Sequence, residues 1–247
     1  MRKLLLFGGA LARNCEKFSP ESDSELCLCD AKSCDTFEPA DVVDGFFDTY
    51  TTSRAGQRLH HEKFAKFPDS KLKFDEISFA GTLKQEVIGF GGALTDSALL
   101  AYKSLSQKAR DQLENAWFGS SGANFNLVRV PIGGTDFSTF GYTLDDSSDD
   151  FSLKNFNLSA IDTEIRVPML KRHKTRILAS AWSAPKWMKN NKNLNGWTKL
   201  TGNPGDPIHK SWARHYVKYI EEMRRRGLGP GALLLQPDFT SSVFSSP

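Results

Sequence analysis

Two tryptophans, Trp182 and Trp187, flank Ser-Ala-Pro-Lys in the stretch ILASAWSAPKWMKNN (177–191), directly after the apolar run Ile177-Leu178-Ala179. An indole presents a flat apolar face and a single N–H, which suits a ligand that is apolar on one side and hydroxylated around its rim, such as a sugar ring. The plainer alternative is that both rings are core, because tryptophan is highly buried on average. Other polar groups stand at comparable places. Arg129 interrupts the apolar run of residues 127–132, Asp136-Phe137-Ser138 follows that run, and Thr95-Asp96 follow VIGFGGAL (87–94). An arginine inside an apolar strand is costly to bury unpaired, so a carboxylate partner is expected for Arg129. Taken singly, Arg129 could only tie strands together, and Asp136 could only form a turn after Gly133-Gly134. Together, an arginine, an aspartate and aromatic faces along one rim describe a polyol-binding site.

Such a rim needs a frame that brings several strand ends to one side. Val87–Gly92, Phe125–Ile132 and Arg176–Ser180 read as strands, and a long polar loop spans 133–160. One helix is expected over Ser106–Trp117, with Ser106 as its N-cap and Leu105, Ala109, Leu113 and Ala116 along one face. A second is expected from Pro207 to Arg226, with Trp212, Tyr216, Ile220 and Met223 on one stripe, stopped by Gly227 and Gly229. Strands alternating with helices at this spacing imply parallel β/α units, in which ligands meet residues at the C-terminal strand ends. The Gly89-x-Gly91 pair is not a dinucleotide fingerprint, because position 94 is Leu and no phosphate-binding lysine follows. It reads instead as a tight turn with close backbone packing. Ahead of this region, residues 39–85 carry Phe46–Thr51, Lys71–Phe74 and Ile77–Phe79, which look like antiparallel strands with one wet face.

Bulk properties exclude several classes. A net charge of +3 with scattered basic residues argues against nucleic-acid binding, and Arg224-Arg225-Arg226 sits where a helix end favours cations. No stretch approaches the roughly 20 apolar residues of a spanning helix. His60, His61, His173, His209 and His215 show no paired metal-ligand spacing, so no metal or cofactor is expected, and no Gly-x-Ser-x-Gly elbow marks a serine hydrolase. Residues 1–12, MRKLLLFGGALA, read as a short signal peptide: a basic start, an apolar stretch and an Ala10-Leu11-Ala12 cleavage site. Cys15, Cys27, Cys29 and Cys34 all fall within 13–38, which in an exported chain reads as two disulfides rather than a zinc site. Three pairings are possible, with Cys27–Cys29 disfavoured.

Four stretches resemble the lysosomal glucosylceramidases (acid β-glucosidases) of glycoside hydrolase family 30: VIGFGGALTDSA (87–98), NLVRVPIGGTDFS (126–138), ILASAWSAPKWMK (177–189) and GDPIHKSWARHYVKYI (205–220). The cysteine spacing is also similar to that family's. The resemblance implies an α/β fold, an incomplete (β/α)8 barrel over 86–247, preceded by part of a β-sandwich over 39–85 and the disulfide-bonded segment. It implies the pairs Cys15–Cys27 and Cys29–Cys34. It places Trp182 against a glucose unit, Asp136 on its hydroxyls with Phe137 beside it, and Arg129 next to catalytic carboxylates, with Trp187 supporting the rim. It implies a glucosylceramide or related β-glucoside as substrate, a lysosomal or secreted location, contact with a membrane surface and with a saposin-type activator, and, at the sequon Asn157-Leu158-Ser159, glycosylation.

The sequence departs from the family in two places. Retaining glycosidases use two carboxyls about 5–5.5 Å apart. The family's first glutamate lies in Asn-Glu-Pro at the end of barrel strand four, whereas this chain reads GPGALLLQPDFTSSVFSSP (229–247). No catalytic residue is therefore assigned. Asp238, Asp136 and Asp96 are poor substitutes, being a methylene shorter. The expectation is a truncated chain inactive alone, or else a non-catalytic binder of glycan or glycolipid. Second, only one helical turn is expected between Pro168 and Ile177, too little to cross between strands comfortably. An open half-barrel should also leave the edge of its third strand exposed.

Overall fold

The computed structural model of the chain describes residues 16–18, 26–34, 40, 41, 43–55, 57, 59–65, 81, 84–196, 198–229 and 232–234. In chain order its first elements are β1 (Glu16–Phe18), β2 (Leu26–Leu28), β3 (Phe46–Thr51), β4 (His60–Ala65), β5 (Gly91–Ala93), α1 (Asp96–Ser104) and α2 (Gln107–Phe118). Then come β6 (Leu127–Ile132), α3 (Val167–His173), β7 (Arg176–Ala181), α4 (Pro207–Arg225) and β8 (Ala232–Leu234). They fall into two compact units: residues up to Ile88 with Ser106–Asn124, and Gly89–Leu105 with Phe125 onward.

In the first unit, β1 and β2 pair antiparallel with Lys17 opposite Cys27, and Cys29 is disulfide-bonded to Cys34. Cys15 and residues 1–12 lie outside the described residues. β3 and β4 form an antiparallel ladder with Phe47 opposite Phe64, their rings stacked at 5.3 Å. β4 reads HHEKFA, too polar for sequence patterning to mark as a strand. The expected strands at 71–74 and 77–79 lie outside the described residues. The α2 helix starts as expected: the Ser106 side chain accepts from the Ala109 amide at 3.3 Å.

The second unit is built on an all-parallel sheet of order β5-β6-β7-β8. β5 is shorter than expected, three residues, and residues 84–90 before it are irregular. Gly91 allows its pairing with β6, since a Cβ there would stand 1.4 Å from the Leu127 carbonyl oxygen. β6 and β7 pair over their whole lengths, from Leu127–Arg176 to Ile132–Ala181. Val128, Val130 and Ile132 alternate with Arg129 and Pro131, and Ile177, Ala179 and Ala181 alternate with Leu178 and Ser180. One set from each strand is buried core, and the register places Arg129 beside Leu178 and Pro131 beside Ser180 on the opposite face.

Two expectations are corrected here. The edge of β7 is not exposed, because β8 pairs with it from Leu178–Ala232 to Ser180–Leu234. Nor is the β6–β7 connection short of helix. Helical backbone runs from Ala160 through a π-helical turn, Asp162–Arg166, into α3. A proline inside a helix, here Pro168, lacks an N–H and crowds the carbonyl four residues back. The wider π turn just before it accommodates that defect.

The α4 helix follows its sequence signals closely. Pro207 occupies the first turn, and Gly227 (φ +77°) takes the left-handed position after the helix. The Gly227 amide donates to Arg224 O at 2.8 Å and the Leu228 amide to Met223 O at 2.9 Å, a Schellman closure with Leu228 and Met223 both buried. The buried residues of α4 are Ser211, His215, Tyr216, Tyr219 and Met223, so the stripe is rotated from the expected one, with Trp212 and Ile220 at its half-buried margin.

Candidate functional site

Just past the end of β7, Trp182 meets Arg129 of β6. Its guanidinium lies 4.5 Å over the Trp182 ring, and its Nη2 donates to Ser180 Oγ at 3.5 Å. The stack is geometrically natural: Ser180 and Trp182 are two residues apart at the end of β7, and Arg129 stands one strand over on the same face. Such a cation–π contact is worth about 0.5–2 kcal/mol. It also leaves the indole half-exposed. The Trp182 Nε1 is buried with no partner among the described residues, a donor left free beside the guanidinium.

The carboxylate partner expected for Arg129 is not in direct contact. Asp136, half-buried, attracts it through charge, but burial of the guanidinium is the larger influence and holds Arg129 below the ordinary arginine range. Asp136 lies in a turn closed by the Ser138 amide on Thr135 O at 3.1 Å, with Phe137, 59% exposed, beside it. Phe140, in the same loop, is 68% exposed. The arrangement thus offers an aromatic face, a guanidinium and a carboxylate, a donor and acceptor set that suits sugar hydroxyls.

Trp187 sits elsewhere. It is 5% exposed, its Nε1 donates to Asp145 O at 3.2 Å, and it packs edge-on to Phe151 at 5.5 Å. Leu153, Ala184, Met188 and Leu200 surround it as a core beneath the loop. Of the two tryptophans, then, one is core and one is not.

Thr95 and Asp96 do not join the rim, contrary to expectation. Thr95 is the N-cap of α1, accepting from the Ala98 amide at 3.3 Å, and Asp96 begins that helix, buried. The α1 helix was not read from the sequence because glycine-rich and turn-like residues precede it. Asp96 is instead half of a buried ion pair. Its Oδ1 accepts from Arg166 Nη2 at 2.6 Å, and Arg166, 1% exposed, also donates to Asp162 and through Nε to Leu94 O at 3.1 Å. That last bond has a sequence cause. Continuing the β5–β6 register would bring the N–H of residue 131 to Leu94 O, but residue 131 is proline and has none. Arg166 supplies the missing donor. Sequence reading missed Arg166, although Asp162 four residues earlier was a usable sign.

Two further groups are perturbed away from the rim. Burial pushes the Asp145 carboxyl up to about 6, and its Oδ2 has no partner among the described residues. Burial alone pulls the His215 imidazole down to about 4. Among the described residues no cluster of three or more His, Cys, Asp or Glu could hold a metal ion. No helix of the described residues is long and apolar enough to cross a membrane. Asn157 is exposed, and its amide donates to Leu144 O at 2.8 Å. Asp238 lies outside the described residues.

Comparison with known proteins gives a consistent picture. The profile of the glycosyl hydrolase family 30 TIM-barrel domain matches residues 87–245. A putative glucosylceramidase 4 of Caenorhabditis elegans is 34% identical over 225 residues, covering 88% of this chain and 43% of that protein. The lysosomal acid glucosylceramidase of Mus musculus is 32% identical over 230 residues, covering 90% of this chain and 45% of that protein. Among solved structures, SrfJ from Salmonella typhimurium superposes with a TM-score of 0.62 at 25% identity, over 81% of this chain and 46% of its own. The chain therefore spans a little under half the length of the relatives it matches.

Proposed function

Because this chain belongs to glycosyl hydrolase family 30, we propose that its Arg129–Trp182–Asp136 rim holds the glucose unit of a β-glucoside of the glucosylceramide kind. The observation that carries this reading is the stack of Arg129, from β6, on a half-exposed Trp182 just past the end of β7, with Asp136 near enough to attract the guanidinium. In this reading Trp182 offers the sugar an apolar face, Asp136 accepts from its hydroxyls, and Arg129 donates to oxygen. Phe137 and Trp187 play different parts: Phe137, exposed beside Asp136, contacts the substrate, and Trp187 props the loop.

Hydrolysis with retention needs an acid/base and a nucleophile about 5–5.5 Å apart. The family's Asn-Glu-Pro glutamate has no counterpart in these 247 residues. We therefore propose that these residues bind the sugar and do not cleave it alone, so that the chain by itself acts as a glycan or glycolipid binder. The secretory route, supported by the Cys29–Cys34 disulfide and the lysosomal relative, would take it to the lysosome or outside the cell, with Asn157 glycosylated on the way. A membrane surface and a saposin-type activator are the partners this reading entails, and β3–β4 would belong to a β-sandwich.

Two measurements on the full chain test the proposal. Titration with methyl β-D-glucopyranoside should show binding that Asp136→Ala weakens about tenfold or more, the usual loss of hydrogen bonds to a charged group. A fluorogenic β-glucoside should not be turned over. Turnover abolished by Asp238→Ala but not by Asp136→Ala would refute the non-cleaving reading, and binding indifferent to Asp136→Ala would refute the rim.

A further inference from the structure

Asp136 is held in place by residues that never reach the rim. The loop that carries it closes at its base through the Gly134 amide on Tyr142 O at 2.9 Å. Beneath the loop lies the first turn of α1. Asp96 Oδ2 accepts from Ser138 Oγ at 2.6 Å and from the Tyr142 hydroxyl at 3.0 Å. Burial and the neighbouring Asp96 charge push the Tyr142 phenol up, so it stays protonated and donates. Ser97 donates twice to Phe137 O, from its amide at 2.9 Å and its hydroxyl at 2.7 Å. Ser138 Oγ in turn accepts from the Thr135 amide at 2.9 Å. Both residues after Asp136 are thus fastened to α1, and the residue before it is fastened to Ser138.

A buried carboxylate is a costly anchor, and an ion pair in the interior is often no more stabilising than apolar residues of the same volume. What it does supply is direction. Asp96 is ion-paired with Arg166, whose guanidinium is itself held by Asp162 and Leu94 O, the carbonyl left over by Pro131. The residue after β5, the start of α1, the π-helical turn before α3 and the 134–142 loop therefore converge on one carboxylate. We infer that Asp96 is a positioning residue: through Ser138 it fixes the 135–138 turn and so aims the Asp136 carboxylate at the sugar hydroxyls. This deepens the sugar-holding reading of the rim and rests on it.

Ser138→Ala is the informative change, because it removes the link and leaves the Arg166–Asp96 pair and the Tyr142 bond intact. In the full chain, amide hydrogen exchange over 135–138 should quicken about tenfold, the scale of one lost hydrogen bond to a charged group. Affinity for methyl β-D-glucopyranoside should fall by a similar factor, the global melting temperature should fall by only a few degrees, and Ser138→Thr should restore both exchange and affinity. Unchanged exchange in Ser138→Ala overturns the proposal. So does faster exchange with unchanged affinity, or no rescue by threonine. If the unaltered chain binds no glucoside, the rim reading falls and takes the aiming role with it. That result is distinct from failure of this proposal alone, in which the unaltered chain binds and Ser138→Ala binds equally well.

Discussion

Replacing Arg166 by methionine keeps most of the side-chain volume and removes the charge. Three bonds vanish: those to Asp96 and Asp162, and that from Nε to Leu94 O. Breaking one side of a buried ion pair costs about 3–5 kcal/mol, because the remaining charge is left uncompensated, and an orphaned buried carbonyl adds about 1–3 kcal/mol. The two carboxylates are not stripped bare, however. Asp96 keeps Ser138 and Tyr142, and Asp162 keeps the amide and hydroxyl of Ser159 at 3.0 and 2.7 Å. The expected loss is therefore at the lower end, about 4 kcal/mol, a large share of the roughly 5–15 kcal/mol that stabilises a typical domain. Urea titrations of parent and Arg166→Met at neutral pH, followed in parallel by tryptophan fluorescence and far-ultraviolet circular dichroism, measure the loss. A deficit under about 1 kcal/mol would show that the carboxylates are solvated and that Arg166 ties nothing together.

Two other buried groups set opposite pH trends. Asp145, raised to about 6 from 3.8 by burial, contributes stability that is complete below its unfolded value and is lost as pH rises through about 6. Asp145→Asn keeps the acceptor for the Ser147 amide. It should melt higher than the parent at pH 7.5 and close to it at pH 4; a lower melting temperature at pH 7.5 would contradict the buried-charge account. His215, lowered from 6.5 to about 4 by burial, contributes stability that is complete above 6.5 and is lost as pH falls through about 4. Both its ring nitrogens lack partners among the described residues, and it packs on Phe156 at 4.9 Å. His215→Phe should stay within about 1 kcal/mol of the parent at neutral pH and resist acid better, checked by melting curves at pH 7 and 4.5. Equal acid sensitivity in the two proteins would disprove it.

What could be read along the chain was local. Ser106 caps α2 because its hydroxyl sits next to the amides it bonds, and Pro207 and Gly227 bracket α4 because each residue's own backbone preference suits its place. The runs of β6 and β7 were legible since apolar strands buried on both faces need no partner to look like strands. β4 and α1 were not, the first because its residues are polar, the second because a glycine-rich approach masked the Thr95 cap. Trp182, Arg129 and Asp136 could be named as candidates from type and position relative to the strands, and the long Arg129 side chain does reach from its register partner Leu178 to the Trp182 ring.

The remainder was decided between distant residues. The sequence by itself determined β6, β7, α2 and α4 and which residue types lie near their ends, because those depend on side-chain period and backbone preference over a few neighbours. Only the tertiary structure decided that Asp96 leaves the rim for Arg166, seventy positions away, and that β8 covers β7. It alone assigned one tryptophan to a guanidinium and the other to the core. A buried charge must find its counter-charge wherever the fold brings one, and no periodicity along the chain records that distance.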